Sequence, residues 1–266
     1  MFCAAATNQT AEPPEGQIYL KSASEIATMR RAGRLLGRII REVLQNAGEG
    51  VPTIELDKLA YRRIREAGAV PGFLGLYSFP NTLCISINEE VVHGIPGKRR
   101  LKSGDIVSID CGLILDGFFA DHAWTIGIGK LDPEAERLLR VGEESLYKGI
   151  AAARYGGRVG DIGQAIEEHV TAAGFSVVEE YTGHGIGRRC HEDPKVYNTG
   201  ARRGKRIGQG LTLAIEPMVN IGTGKTKELE DGWTVVTADR SLSAHFEHTV
   251  AIGSRGTEIL TRDEDN

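Results

Sequence analysis

The 266 residues predict an α+β fold in which one helix–helix–strands unit occurs twice. Three observations carry this. Helix starts and stops recur at matched intervals: caps Ser22 and Asp132 lie 110 residues apart, caps Thr53 and Asp161 108, and stops Gly68 and Gly174 106. Paired stretches of 3.6-residue apolar periodicity precede each set of strand-like runs. Asp116-Gly117, a strong two-residue hairpin signal, joins two such runs and makes them antiparallel. Two long similar units indicate duplication, with a cleft between their sheets where side chains from both can converge.

Residues 1–17 read as a mobile tail. Ala4 to Ala6 and the run Glu12-Pro13-Pro14-Glu15-Gly16 lack the basic start and long apolar stretch of a secretion signal. Residues 18–266 are expected to form one domain, with halves of about 22–130 and 131–255. A capping box from Ser22 to Glu25 opens the first helix. Its stripe is Ile26, Met29, Leu36, Ile40 and Val43, and Gly48 stops it. Thr53 caps the second helix, with Leu56, Leu59 and Ile64 inward. Strands are predicted at 83–87, 106–115 and 118–126. Asp132-Pro133-Glu134 opens the third helix with proline at its first position. Leu138, Leu139, Leu146 and Ile150 face inward there, and Gly156-Gly157 end it. Asp161 caps a fourth helix carrying Ile162, Ile166 and Val170. Strands at 177–180, 211–215, 233–237 and 244–252 close the second unit.

Composition sets bounds on function. A net charge of -4 gives no global basic field for nucleic acid, and Lys98-Arg99-Arg100 reads as a solvated loop. No apolar run approaches a membrane span. The irregularly spaced Cys3, Cys84, Cys111 and Cys190 suit a reducing cytoplasm, the expected location.

The hairpin supplies the first chemistry. If Asp116-Gly117 is its turn, 115 pairs with 118 and 112 with 121. Asp110 and Asp121 then share a face as diagonal neighbours roughly 7–8 Å apart at the backbone. Gly112, opposite Asp121, would leave space there. Two carboxylates on an apolar hairpin repel each other and are costly to bury without a cation. The second half adds His184 within Gly183-His184-Gly185-Ile186-Gly187, Glu216 at a strand end before Pro217, and Glu247 within a largely apolar strand. Four carboxylates and one imidazole suit a pair of hard divalent cations, which makes hydrolysis by a metal-activated hydroxide the leading expectation. For each residue alone, a salt bridge or a structural histidine is the plainer reading; the joint set reverses that.

Taken together, Asn88 through Pro96 (NEEVVHGIP), Ser108-Ile109-Asp110, Asp116-Gly117 through Asp121, Gly183 to Gly187, His191-Glu192, Ile215-Glu216-Pro217-Met218 and Phe246-Glu247-His248-Thr249 resemble the type I methionine aminopeptidases of bacterial form, in metallopeptidase family M24. The resemblance implies a pita-bread fold, with two halves related by a pseudo-twofold axis around a central antiparallel sheet. It implies removal of the initiator methionine from nascent polypeptides bearing a small second residue, by a dinuclear metal-activated hydroxide. Asp110 would chelate one ion, Asp121 and Glu247 would bridge both, and His184 and Glu216 would complete the other. The cofactors would be two divalent ions drawn from Mn, Fe, Co or Zn. His191 would stabilise the oxyanion, His93 would contact the scissile amide, and Glu216 would shuttle a proton. Phe73, Phe79, Cys84, Tyr181, Cys190 and Trp233 would line the methionine pocket. The sequence departs from relatives at Cys190, where an aromatic is frequent, and at Leu76 and Phe79, where tyrosines often occur. Partners would be nascent N-termini, at the ribosome, for a monomer needing neither nucleic acid nor membrane. There is no long insertion between His184 and Glu216 as in type II enzymes. The segment ahead of the first helix is shorter than the extra domain of prolidase-like relatives. A prolidase-like peptidase and a non-catalytic binding member of the same fold are the rival expectations.

Overall fold

Each predicted apolar stripe becomes a helix laid against the strands that follow it, over the residues 16–262 that the computed structural model describes. The tail expected at 1–17 lies outside those residues except for Gly16 and Gln17. The helices are α1 (Ala23–Asn46), α2 (Thr53–Glu66), α3 (Pro133–Ala152) and α4 (Val159–Ala172). Ser22 and Glu25 form the expected capping box, with Ser22 N donating to Glu25 Oε2 at 3.0 Å. Asp132 accepts from Glu134 N at 2.9 Å ahead of Pro133.

Two predicted caps act differently. Thr53 is the first residue of α2 rather than its cap, and its hydroxyl accepts from Gly97 N at 2.8 Å. It therefore pins the loop after His93. Asp161 lies inside α4, where its carboxylate reaches back to accept from Arg158 N at 2.8 Å. The helix so begins earlier than predicted. The α1 and α3 helices end at Asn46 and Ala152, ahead of the predicted glycine stops. Gly68 and Gly174 do match: both are left-handed, at φ 75° and 76°, a conformation that costs a glycine little.

Leu36, Ile40 and Val43 of α1 and Leu56 and Ile64 of α2 pack on Leu83, Ile85, Val107 and Ile109. Leu138, Leu146, Ile162 and Ile166 of α3 and α4 pack on Leu211, Leu213, Val250 and Ile252. Each such side chain contributes about 1.5–3 kcal/mol by leaving water.

Among the described residues every pairing between strands is antiparallel, and the one parallel bridge, Ile18 to Asp193, is isolated. In the first half, Ile106–Leu115 pairs with Leu83–Ile87 and Val70–Pro71 on one side and Phe118–Gly127 on the other. The hairpin register is as predicted, with Leu115 opposite Phe118 and Gly112 opposite Asp121. Positive φ at both Asp116 (50°) and Gly117 (78°) supplies the twist that a two-residue turn needs. In the second half, five strands run in the order Gly256–Ile259, His248–Gly253, Thr212–Ile215, Gly183–Gly185, Glu192–Val196.

The strand predicted at 244–252 is two strands, Ser243–His245 and His248–Gly253, with Glu247 in the break. There the chain leaves one sheet for another: Phe246 N donates to Pro217 O, and Glu247 N donates across to Ala123 O of the first half. The strand at 177–180 shortens to Ser176–Val177, and that at 233–237 to Val235–Thr237.

Two threonines sew the halves together at this break. Thr125 exchanges hydrogen bonds with the backbone of His245, and Thr249 with the backbone of Asp121. Each hydroxyl replaces a strand partner, so the central antiparallel arrangement holds a seam rather than a continuous ladder. Asp121 and Glu247 sit on that seam.

Candidate metal centre

The seam brings carboxylates from both halves to one point. Asp121 sits on the hairpin's return strand and Glu247 in the strand break, both buried. His184 lies on the Gly183–Gly185 strand, whose glycines let neighbouring backbone approach: a Cβ at Gly183 would meet Ala214 O at 2.4 Å. Coordinating atoms of Asp121, His184 and Glu247 all lie within 4.8 Å of one another. Glu216, just beyond Thr212–Ile215, places Oε1 3.4 Å from His184 Nε2. Asp110, diagonal to Asp121 on the hairpin, is close enough that each alters the other's proton affinity. The five residues nominated by sequence are therefore neighbours in space.

Their environment is hostile to negative charge. Asp110 Oδ1, Asp121 Oδ1 and Glu247 Oε1 are buried with no hydrogen-bond partner. Burial pushes Asp121 up to about 7, against the lowering effects of the Cys190 thiol and the His122 amide. Burial, then the charge of Asp121 and its neighbours, raises Asp110, Glu216 and Glu247 well above the carboxylate range. Burial, with His191 beside it, pushes His184 down to about 3. His184 is therefore neutral, and Nδ1 donates to Gly185 O at 2.9 Å. That leaves Nε2 as a lone pair facing the carboxylates, the arrangement in which a histidine binds metal. Hard oxygen donors, one neutral imidazole and orphaned anionic oxygens fit divalent cations.

The expected space beside Asp121 is filled. A Cβ built on Gly112 would meet Phe73 Cε1 at 2.6 Å, so the missing side chain admits an aromatic ring rather than leaving a void. Phe73, Phe79, Cys84, Cys190 and partly buried Trp233 form one apolar cluster, with the Phe79 and Trp233 rings edge to face at 5.0 Å. Tyr181 belongs to a neighbouring cluster, yet its ring stands edge-on to His93 at 5.7 Å. His93 itself is left-handed at φ 61°. Gly94 follows because a Cβ there would meet Ile85 O at 2.2 Å.

His191 faces His184 with ring centroids 4.5 Å apart. Behind it, Glu192 accepts from Lys21 Nζ at 2.6 Å, a pair almost wholly out of water. This pair ties the start of the described chain to the His191 loop. Tyr77, which sequence reasoning passed over, stacks on His191 at 5.7 Å and brings its hydroxyl to 3.4 Å from Nδ1. An exposed aromatic in a short turn leaves no periodic signal to find it by.

The pattern described as metallopeptidase family M24 matches residues 27–254, which include every residue of the cluster. A methionine aminopeptidase of Clostridium perfringens is 53% identical over 92% of this chain and 98% of its own. The chain belongs to metallopeptidase family M24, among its methionine aminopeptidases. It is accordingly a metal-dependent aminopeptidase. The crystal structure of the methionine aminopeptidase of Thermotoga maritima is 41% identical, covers 93% of this chain and all of that one, and superposes with a TM-score of 0.91. The fold is the pita-bread fold of the family. The prolidase of Pyrococcus horikoshii superposes with a TM-score of 0.74 at 19% identity, and the chain covers 64% of its length. That likeness extends to the fold alone.

Proposed function

We propose that this M24 aminopeptidase removes the initiator methionine using two divalent ions held by Asp110, Asp121, His184, Glu216 and Glu247. The reading rests on one observation above all: three buried carboxylate oxygens of the cluster have no partner in the protein. When bound, the ions would supply Lewis acidity and lower the pKa of a coordinated water. The chain's own residues do the rest. Asp121 and Glu247, at the seam, would each help to hold both ions. Phe79, Trp233, Cys84, Cys190, Phe73 and Tyr181 receive the methionine side chain; sulfur and aromatic edges suit a thioether. His191 donates to the oxygen of the scissile carbonyl as charge develops there. His93, which burial pushes down to about 4, is neutral and contacts the scissile amide. Glu216, beside His184 and 3.6 Å from His245 Nε2, carries a proton to the leaving nitrogen.

The residue after methionine is small in this reading, and the substrates are nascent N-termini at the ribosome, met in the cytoplasm by a monomer. The buried, unpaired Cys84, Cys111 and Cys190 agree with a reducing compartment. No helix among the described residues is long and apolar enough to cross a membrane. The test is an assay of metal-free protein reloaded singly with Mn, Fe, Co or Zn on Met-Ala-Ser and on proline-containing peptides. Release of methionine from the former alone is expected. Release of proline-linked residues without methionine would overturn the specificity.

A further inference from the structure

We propose that Tyr77 is a positioning residue for His191, aiming its Nε2–H at the scissile carbonyl oxygen. This rests on the role given to His191 above.

The turn that carries Tyr77 is held at both flanks by pocket residues. Leu76 N donates to Phe73 O at 2.9 Å, Gly75 N to Phe79 O at 2.9 Å, and Phe79 N to Leu76 O at 2.8 Å. Between these anchors Tyr77 and Ser78 adopt φ 48° and 73°, a region that side-chain-bearing residues rarely enter. Strain of this kind persists where surrounding contacts fix it, commonly beside a site of chemistry. Here it lifts a large aromatic ring, 67% exposed, over one catalytic candidate. The Tyr77 and His191 rings are nearly parallel, at 26°.

The contact serves catalysis in one of its two directions, with the phenol donating; in the other the phenol oxygen would accept from Nδ1–H. A phenol can donate to a neutral imidazole nitrogen, and Nδ1 is the nitrogen within reach. A His191 that accepts at Nδ1 carries its proton on Nε2 and can donate it forward. The opposite tautomer would present a lone pair to developing negative charge and repel it. The stack holds the ring plane while the hydroxyl selects the tautomer, and His184 stands edge-on to the same ring at 67°. His191 is itself exposed, so without Tyr77 its Nδ1 would meet water that fixes neither ring angle nor tautomer.

The test uses zinc-loaded, ¹⁵N-histidine-labelled enzyme and three variants: Tyr77→Phe, His191→Ala and the double variant. Tyr77→Phe keeps the stack and removes only the hydroxyl from an exposed turn, so the fold is not at stake. The expected result is a kcat about tenfold lower, the scale of one lost hydrogen bond. KM should stay within about twofold, because substrate binding is left alone. The His191 ¹⁵N signals should move from a pure Nε2–H pattern toward a mixture. The double variant should be no slower than His191→Ala, as expected of a group acting only through His191. An unchanged kcat and unchanged His191 signals in Tyr77→Phe, with His191→Ala impaired, would overturn this inference alone. Near wild-type turnover in His191→Ala would overturn the oxyanion role and this inference with it.

Discussion

Glu192 and Glu247 are both buried glutamates in the second half of the chain, and the protein treats them in opposite ways. Glu192 receives a cation from the chain itself, Lys21 Nζ at 2.6 Å, and the Arg189 amide besides. Glu247 has an oxygen with no partner and is surrounded by Asp110, Asp121 and Glu216. Among the described residues the other buried carboxylates outside the cluster, Asp57 and Asp105, follow Glu192. Buried Asp57 accepts from Thr82 N, Leu83 N and Asn81 Nδ2. Buried Asp105 accepts from Lys102 N and Asn88 Nδ2. A chain that satisfies Asp57, Asp105 and Glu192 so fully, yet leaves Asp121 and Glu247 wanting, keeps a place for positive charge from outside.

The difference can be attacked from both sides. The largest effect should come from the unsatisfied set: His184→Ala or Asp121→Asn should lower turnover by roughly a thousandfold or more and reduce bound metal, with the fold kept. Turnover near wild type with metal occupancy confirmed would refute the assignment. On the satisfied side, Lys21→Met should cost roughly 3 kcal/mol or more in urea unfolding, because Glu192 is then buried without its cation. A loss below about 1 kcal/mol would mean that the pair is solvated in solution.

Metal removal sharpens the contrast through pH. Asp121, raised to about 7, favours the metal-free fold fully below its unfolded value and loses that contribution as pH rises through about 7. The neutral histidines act in the other direction: His184 and His245, lowered to about 3, cost stability as pH falls below their unfolded value of about 6.5. Above about pH 6.5 the histidines no longer add a cost, so metal-free protein should melt lower as pH rises through about 7, where Asp121 ionises. Manganese should abolish the slope. Equal slopes with and without metal would count against the cluster as the binding site. The smallest effect is uncharged: Gly112→Ala pushes on Phe73 and should raise KM for methionyl peptides by ~2–5-fold with metal stoichiometry unchanged.

The sequence was readable where local rules decide. Asp116-Gly117 fixed a register that puts Asp110 and Asp121 on one face, and the same residues pair as predicted in the fold. Left-handed Gly68 and Gly174 matched as helix stops. What failed to show depends on distant partners. Nothing near Glu247 announces a strand break, because the break is made by Pro217 and Ala123, and Thr125 and Thr249 look like ordinary strand residues. Gly112 suggested space because Phe73, which fills it, lies 39 positions away in sequence. Thr53 has the chemistry of a cap, but Gly97 claims its hydroxyl.

The most direct measurement is anomalous diffraction from crystals soaked in manganese. The account predicts two peaks beside Asp121 and Glu247, one within coordinating distance of Asp110 and the other of His184 and Glu216. Manganese found only elsewhere on the protein, with those five side chains bonded to one another or to water, would contradict it.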